Sequence, residues 1–272
     1  MKSTMLNGAL IVAMALALSA SATPQSLRQR RVALVPTKDA PANCSATFVS
    51  GNGDNATQYC VTVNGNIIQF SRGGDEYIQG AKPIEGYGIC DVSPGTAYFD
   101  YAFNNSGNWG PSTFSSTATR AISTRTSSDG IWEITNTITQ VAASGSHPGA
   151  ATVTMKIVNQ TGILRTIVLI RAANVDFKRA GAIDTNNDFD HTADTVTGLE
   201  PGFNSGLSLI NNTFSDSNRP FAQGIPDGPN PCSPFSGFAH QPFVGDGSLE
   251  QFTEFNVPKF SSKTITLTYQ PI

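Results

Sequence analysis

The sequence predicts an all-β fold, an antiparallel two-sheet β-sandwich with long loops, and three observations carry that prediction. Apolar and polar residues alternate with period two through one short run after another. Gly, Pro, Asn and Asp break the chain between those runs. Asn64-Gly65 is the sharpest case, because a tight hairpin turn needs positive φ at both central positions. No stretch after the first 22 residues holds a helical period of useful length. Charged residues are only 14% of the chain, with 25 Gly and 16 Pro, a composition rich in strands and loops rather than helices.

Taken in order, residues 1–22 read as an export signal peptide. Lys2 supplies the positive end, residues 9–18 are apolar, and Ala20-Ser21-Ala22 fits the small-x-small cleavage rule before Thr23. The apolar run is shorter than the ~20 residues of a spanning helix, and no later segment is apolar enough to span. The mature chain is therefore expected outside the cytoplasm: periplasmic, secreted or on the cell surface. Residues 23–42 form a polar, flexible leader with a basic cluster at Arg28, Arg30 and Arg31, and residues 43–272 read as a single β-sandwich domain. A formal net charge of −3 and the lack of any basic-aromatic pattern exclude nucleic acid as a partner.

Residues 59–70 place two β-rich runs around Asn64-Gly65, and residues 96–102 read as a further strand. Residues 118–125 and 131–141 flank Ser127-Ser128-Asp129-Gly130 and are expected to pair, with Trp132, Ile134 and Ile138 on the buried face. Residues 151–158 alternate again. Residues 163–170 are nearly all apolar, the mark of a central strand covered on both sides. Residues 206–210, 249–257 and 263–269 complete the set of about ten strands expected of a sandwich. Residues 211–247 carry Pro220, Pro226, Pro229, Pro231, Pro234 and Pro242. This long connection is expected to pack over one end or face of the sandwich, with Cys232 pinning its middle.

The four cysteines allow three disulfide pairings. Cys44–Cys60 and Cys90–Cys232 is the pairing favoured here, one closing a local loop beside a hairpin and the other tying a mid-chain loop to a late one. No Cys-x-x-Cys pair exists to favour a metal.

Chemistry concentrates in residues 171–198, where Asp176, Asp184, Asp188, Asp190 and Asp194 fall together, with Asn186, Asn187 and His191 among them. Calcium takes six to eight oxygen ligands, and Asp184-x-Asn186-x-Asp188-x-Asp190 offers oxygens at alternate positions, with Asp194 a further carboxylate. The spacing resembles the first half of an EF-hand loop but has Phe189 where the turn glycine belongs and Thr195 where the closing glutamate belongs. The competing reading is a solvated acidic loop of Asx-turns, neutralised by Arg171, Lys178 and Arg179. Asp176, Asp188, Asp190 and Glu200 also offer carboxylate pairs of the kind that cleave glycosides. His191 is a general base or ligand on one reading and a loop histidine on the other. Trp109, in Gly107-Asn108-Trp109-Gly110, offers a sugar-stacking ring or a core plug. No G-x-S-x-G elbow, phosphate-binding loop or dinucleotide fingerprint is present.

Several stretches together resemble a family of exported bacterial β-rich proteins that carry no assigned activity. They are residues 59–70, 85–91 (EGYGICD), 106–110 (SGNWG), 128–132 (SDGIW), 171–198 and 227–232 (DGPNPC). The resemblance marks Arg171, Asp176, Asn187, Asp188, Asp190 and Asp194, while Asn174 stands where it implies an acidic residue. The function expected from residues and resemblance together is a non-catalytic extracellular or surface-associated binding protein, with a calcium-stabilised acidic loop and a carbohydrate or other extracellular ligand contacted by Arg171, Asp176, His191 or Trp109. A carbohydrate-active enzyme using loop carboxylates and a structural envelope or matrix component are the alternatives.

Overall fold

The computed structural model describes residues 43–78, 84–179, 182–184, 187–213, 218–223, 228–233 and 243–272. The expected signal peptide and leader lie outside the described residues. So do Asn186 and the side chain of Asp184.

The fold is all β, an antiparallel sandwich in which three sheets share one core. The nine-stranded sheet runs Phe243–Gly245, Asn187–His191, Thr195–Leu199, Gly206–Asn211, Ser262–Pro271, Ala150–Asn159, Trp132–Val141, Arg120–Thr126 and Thr113–Ser116. The five-stranded sheet runs Asn218–Gln223, Ser248–Val257, Arg165–Asn174, Glu85–Asp91 and Thr96–Asp100. Beyond the two sheets expected there is a third, six-stranded one: Ala46–Ser50, Thr57–Val61, Ile67–Arg72, Asp75–Glu76, Phe177–Arg179 and Ala182–Asp184.

Period-two patterning explains the long strands. In Trp132–Val141, Trp132, Ile134, Asn136 and Ile138 turn inward while Glu133, Thr135 and Thr137 do not. Ala150–Asn159 buries Val153, Met155 and Ile157 and pairs on both sides, with Trp132–Val141 and Ser262–Pro271. The apolar run beginning at Ile163 becomes the central strand of the five-stranded sheet, covered on both faces as expected from its composition. Ile163 and Leu164 themselves stay exposed ahead of it. Aromatic rings of Phe48, Tyr59, Phe70 and Tyr269 stack in a row, at centroid spacings of 5.0, 5.5 and 6.2 Å, from the six-stranded into the nine-stranded sheet. Stacked pairs of this kind contribute about 0.5–1.5 kcal/mol each beyond their burial.

The outward face of the five-stranded sheet carries a second apolar cluster of Ile84, Tyr101, Ile170, Ala172 and Phe252. Residues 228–233 cover part of it. Pro231 lies where a side chain at Gly88 would project, Gly228 approaches the Tyr101 ring, and the Cys90–Cys232 disulfide fixes the contact. Both disulfides have the pairing favoured from sequence, with Cα–Cα distances of 5.5 Å for Cys44–Cys60 and 4.8 Å for Cys90–Cys232. Such bonds form in oxidising compartments. Among the described residues, no helix is long and apolar enough to cross a membrane.

Two expectations are corrected. The acidic stretch is not one open loop: most of it is strand, in Phe177–Arg179, Ala182–Asp184, Asn187–His191 and Thr195–Leu199. The cause is alternation that its charge obscures. Asn187 and Phe189 are buried, Asp188 and Asp190 lie on the other side, and Val196 is buried on the partner strand. The long Pro-rich connection also contains strands, Asn218–Gln223 and Phe243–Gly245. Both sit at sheet edges, where the missing N–H of Pro220 is tolerated.

Candidate functional site

Arg165–Asn174 sends alternate residues to opposite faces, and the two faces do different chemistry. Arg171 points into the core and is fully buried, directly opposite Tyr87 on one neighbour and Gln251 on the other. Its Nε donates to Glu85 Oε1 at 2.7 Å and to the Tyr269 hydroxyl at 3.0 Å, and its Nη2 donates to the Gly65 carbonyl at 3.1 Å. Glu85 accepts from Tyr269 through Oε1 and from the Ile67 amide through Oε2. One ion pair thus joins all three sheets. Burial works against the Arg171 charge, but Glu85 and Tyr269 outweigh it and the guanidinium is held protonated. Burial pushes the Glu85 carboxyl up, and its partners pull it back only in part. Arg171 was expected to contact ligand. With no exposed surface it holds the core together instead.

Trp109 is likewise an internal residue. It is 7% exposed, meets Tyr87 edge-on at 5.8 Å and lies 6.0 Å from the Tyr98 ring, with the Arg125 guanidinium 5.9 Å from its centroid. Arg125 pairs in turn with the buried Asp100. Of the two sequence readings, the core plug describes Trp109.

Of the carboxylates expected to hold calcium, the described ones are Asp188, Asp190 and Asp194, and they lie along one strand and in the turn after it. Asp188 and Asp190 stand two residues apart on one strand and so share a face, splayed by ~6.6 Å along it rather than converging. The Asp190 carboxylate accepts from the His191 amide at 2.7 Å. Asp194 sits in the following turn, where its carboxylate accepts from Thr192 Oγ1 at 3.2 Å and Thr195 Oγ1 at 3.0 Å. Among the described residues, no three of His, Cys, Asp or Glu gather as metal ligands would. At Asp188 and Asp190 the every-other spacing that looks like a chelating loop is the period of a strand. His191 ends that strand, partly exposed.

Asp176 differs from these. It is 4% exposed, and its amide donates to the Tyr77 carbonyl at 3.1 Å. Asn174 Nδ2 lies 3.5 Å from Asp176 Oδ2, and Asn187 Nδ2 donates to the Val175 carbonyl at 2.6 Å. Three polar side chains therefore crowd the peptide unit between Val175 and Asp176. Their outer oxygens, Asn174 Oδ1, Asp176 Oδ1 and Asn187 Oδ1, are buried and accept no hydrogen bond from the described residues. Leaving a buried acceptor unpaired costs about 1–3 kcal/mol. Burial, and secondarily the like charge of Asp246, push the Asp176 carboxyl up to about 6.

Tyr77, whose carbonyl accepts the Asp176 amide, lines a cleft. Tyr77, edge-on to Phe177 at 5.4 Å, forms part of a cavity of about 350 Å³ lined by Asp54, Arg72, Gly73, Asp75, Tyr77, Asn204, Ser205 and Ile272. The Tyr77 and Ser205 hydroxyls are hydrogen-bonded at 3.2 Å. Arg72 is anchored by Nε to the Asp54 carbonyl at 3.1 Å and by Nη2 to Asn55 Oδ1 at 3.3 Å. The Gly73-Gly74 turn, with φ of +58° and +96°, sets Arg72 opposite Asp75. None of these cleft residues was singled out from sequence, although the Gly-Gly pair is a hairpin signal in its own right.

No family model matches the chain, and no curated protein matches it in sequence. Solved structures match in fold. A bacterial glucoamylase complexed with acarbose aligns over 87% of this chain and 34% of its own, with 13% identity and a TM-score of 0.56. This chain therefore spans about a third of that enzyme's length. A candidate aldose 1-epimerase from Escherichia coli K12 aligns over 84% of this chain and 99% of its own, with 11% identity and a TM-score of 0.50. At these identities the likeness is one of fold.

Proposed function

We propose that this is an exported saccharide-binding protein that takes its ligand in the cleft bounded by Arg72, Asp75, Tyr77, Asn204 and Ser205. The cleft is the observation that carries the reading. It is of ligand size, and it offers donors, acceptors and charges of both signs, the mixture that a polyhydroxylated ring needs to replace its water. The fold adds support, since two of the structures it resembles are by name a glucoamylase and a candidate aldose 1-epimerase. The two disulfides fit work outside the cytoplasm.

Titration calorimetry of the mature protein against a panel of neutral and acidic mono- and oligosaccharides tests this. Binding is expected for at least one member, weakened tenfold or more in Arg72→Ala and Asn204→Ala. A panel with no binder, or binding indifferent to both substitutions, overturns the reading.

The alternative, a carbohydrate-active enzyme, draws on Asp176. A buried carboxyl raised to about 6 is suited to proton donation near neutral pH. On that reading a bound oligosaccharide is cleaved, and release of reducing ends stops in Asp176→Asn while binding persists.

A further inference from the structure

We infer that Asn174, Asp176 and Asn187, with Asp246 at the rim, form a calcium site distinct from the alternating carboxylates of the neighbouring strand. The inference stands on geometry; it is independent of saccharide binding in the cleft and competes with the enzyme alternative for Asp176. Side chains from two strands, and from the connection that follows the first, meet around the peptide unit 175–176, and each carries a buried oxygen that accepts no hydrogen bond from the described residues. Asn174 is 4%, Asp176 4% and Asn187 0% exposed, so bulk water does not serve those oxygens. Buried acceptors are paired as a rule, and a group of them facing no donor is what an ion or an ordered water satisfies.

The composition of the group selects the ion. Two amide oxygens and a carboxylate are hard donors, and none of the three side chains offers sulfur or imidazole. That excludes a zinc or copper site and suits calcium, which mixes carboxylates, amide carbonyls and water in loose geometry. Asp246 is exposed and acts on Asp176 through its like charge, a second negative charge beside the site. The remaining coordination positions fall to water or backbone carbonyls.

The strand Asn187–His191 explains why the sequence pointed one step away. Asn187 and Phe189 face inward, while Asp188 and Asp190 face the other way. The acidic residues that catch the eye therefore mark the strand, and its amide residue serves the site.

Titration calorimetry with Ca²⁺ alone, on full mature protein stripped with EDTA and free of sugar, tests the assignment. One Ca²⁺ per chain is expected. Affinity falls tenfold or more in Asp246→Asn and in Asp176→Asn, and is unchanged within twofold in Asp188→Asn and Asp190→Asn. Asp246 is exposed, so its variant keeps the test decisive should Asp176→Asn fail to fold. Absence of Ca²⁺ binding to the unaltered protein at millimolar concentration, the weak end for extracellular sites, overturns the inference and leaves the oxygens to water. Loss of binding in Asp188→Asn or Asp190→Asn with Asp246→Asn intact overturns it in favour of the strand's outer face. Because no saccharide enters the assay, its failure leaves the cleft reading untouched.

Discussion

Arg171 and Asn174 sit three positions apart on one strand, yet the polar groups around them have opposite character. On the inner side Arg171, Glu85 and Tyr269 balance charge and spend nearly all their donors and acceptors on one another, with Arg171 Nη1 left over. At the strand's end Asn174, Asp176 and Asn187 leave buried oxygens without donors, and the charge of Asp176 meets the like charge of Asp246. A satisfied polar group in a core fixes structure. A group left with lone pairs and surplus negative charge is a place for a ligand. Burial is nearly the same at both, so it does not separate them; the ratio of donors to acceptors does.

The largest effect should come from breaking the satisfied side. Arg171→Ala removes one half of a buried ion pair and strands Glu85, so a loss of about 3–5 kcal/mol is expected in chemical denaturation, enough to leave much of the protein unfolded. If the melt is unchanged, the pair is not the link between the sheets that its geometry implies. Tyr269→Phe is milder. It keeps the ring against Phe70 and deletes only the hydroxyl shared by Arg171 and Glu85, for an expected loss of about 1–3 kcal/mol by the same measurement.

On the unsatisfied side the same substitution should change sign with conditions. In EDTA, the folded-state pKa of Asp176 lies above its ordinary value of 3.8, at about 6, so folding favours the protonated acid. That contribution is fully present below about pH 3.8 and is lost as pH rises through about 6. Asp176→Asn should therefore stabilise the metal-free protein at pH 7, by roughly 1–3 kcal/mol, and remove this pH dependence. In saturating Ca²⁺ it should destabilise instead. A thermal melt in each buffer reads both, and a substitution with the same sign in both would erase the contrast between the two groups.

Much of the fold was legible along the chain. The period-two runs at residues 131–141, 151–158 and 263–269 became strands within a residue or two of where the pattern placed them. The turn at Gly65, with φ of +84°, also followed from residue type, and the disulfides have the pairing favoured among the three possible. The candidate site was legible in place but not in detail. Residues 171–198 drew attention by their acidity, whereas the residues that converge are Asn174, Asp176 and Asn187, two of them uncharged. Acidic residues on the solvent face of a strand look like a chelating loop until the strand is known.

The sequence by itself determined the class of fold and the clearest period-two strands, because each rests on neighbours within a few residues. Only the tertiary structure decided that there are three sheets, that Arg171 meets Glu85 across 86 positions and Tyr269 across 98, and which oxygens are left without donors. Those outcomes depend on which strands pair and which faces close on one another. Strand pairing is set by the summed packing of distant segments, and no local period records it.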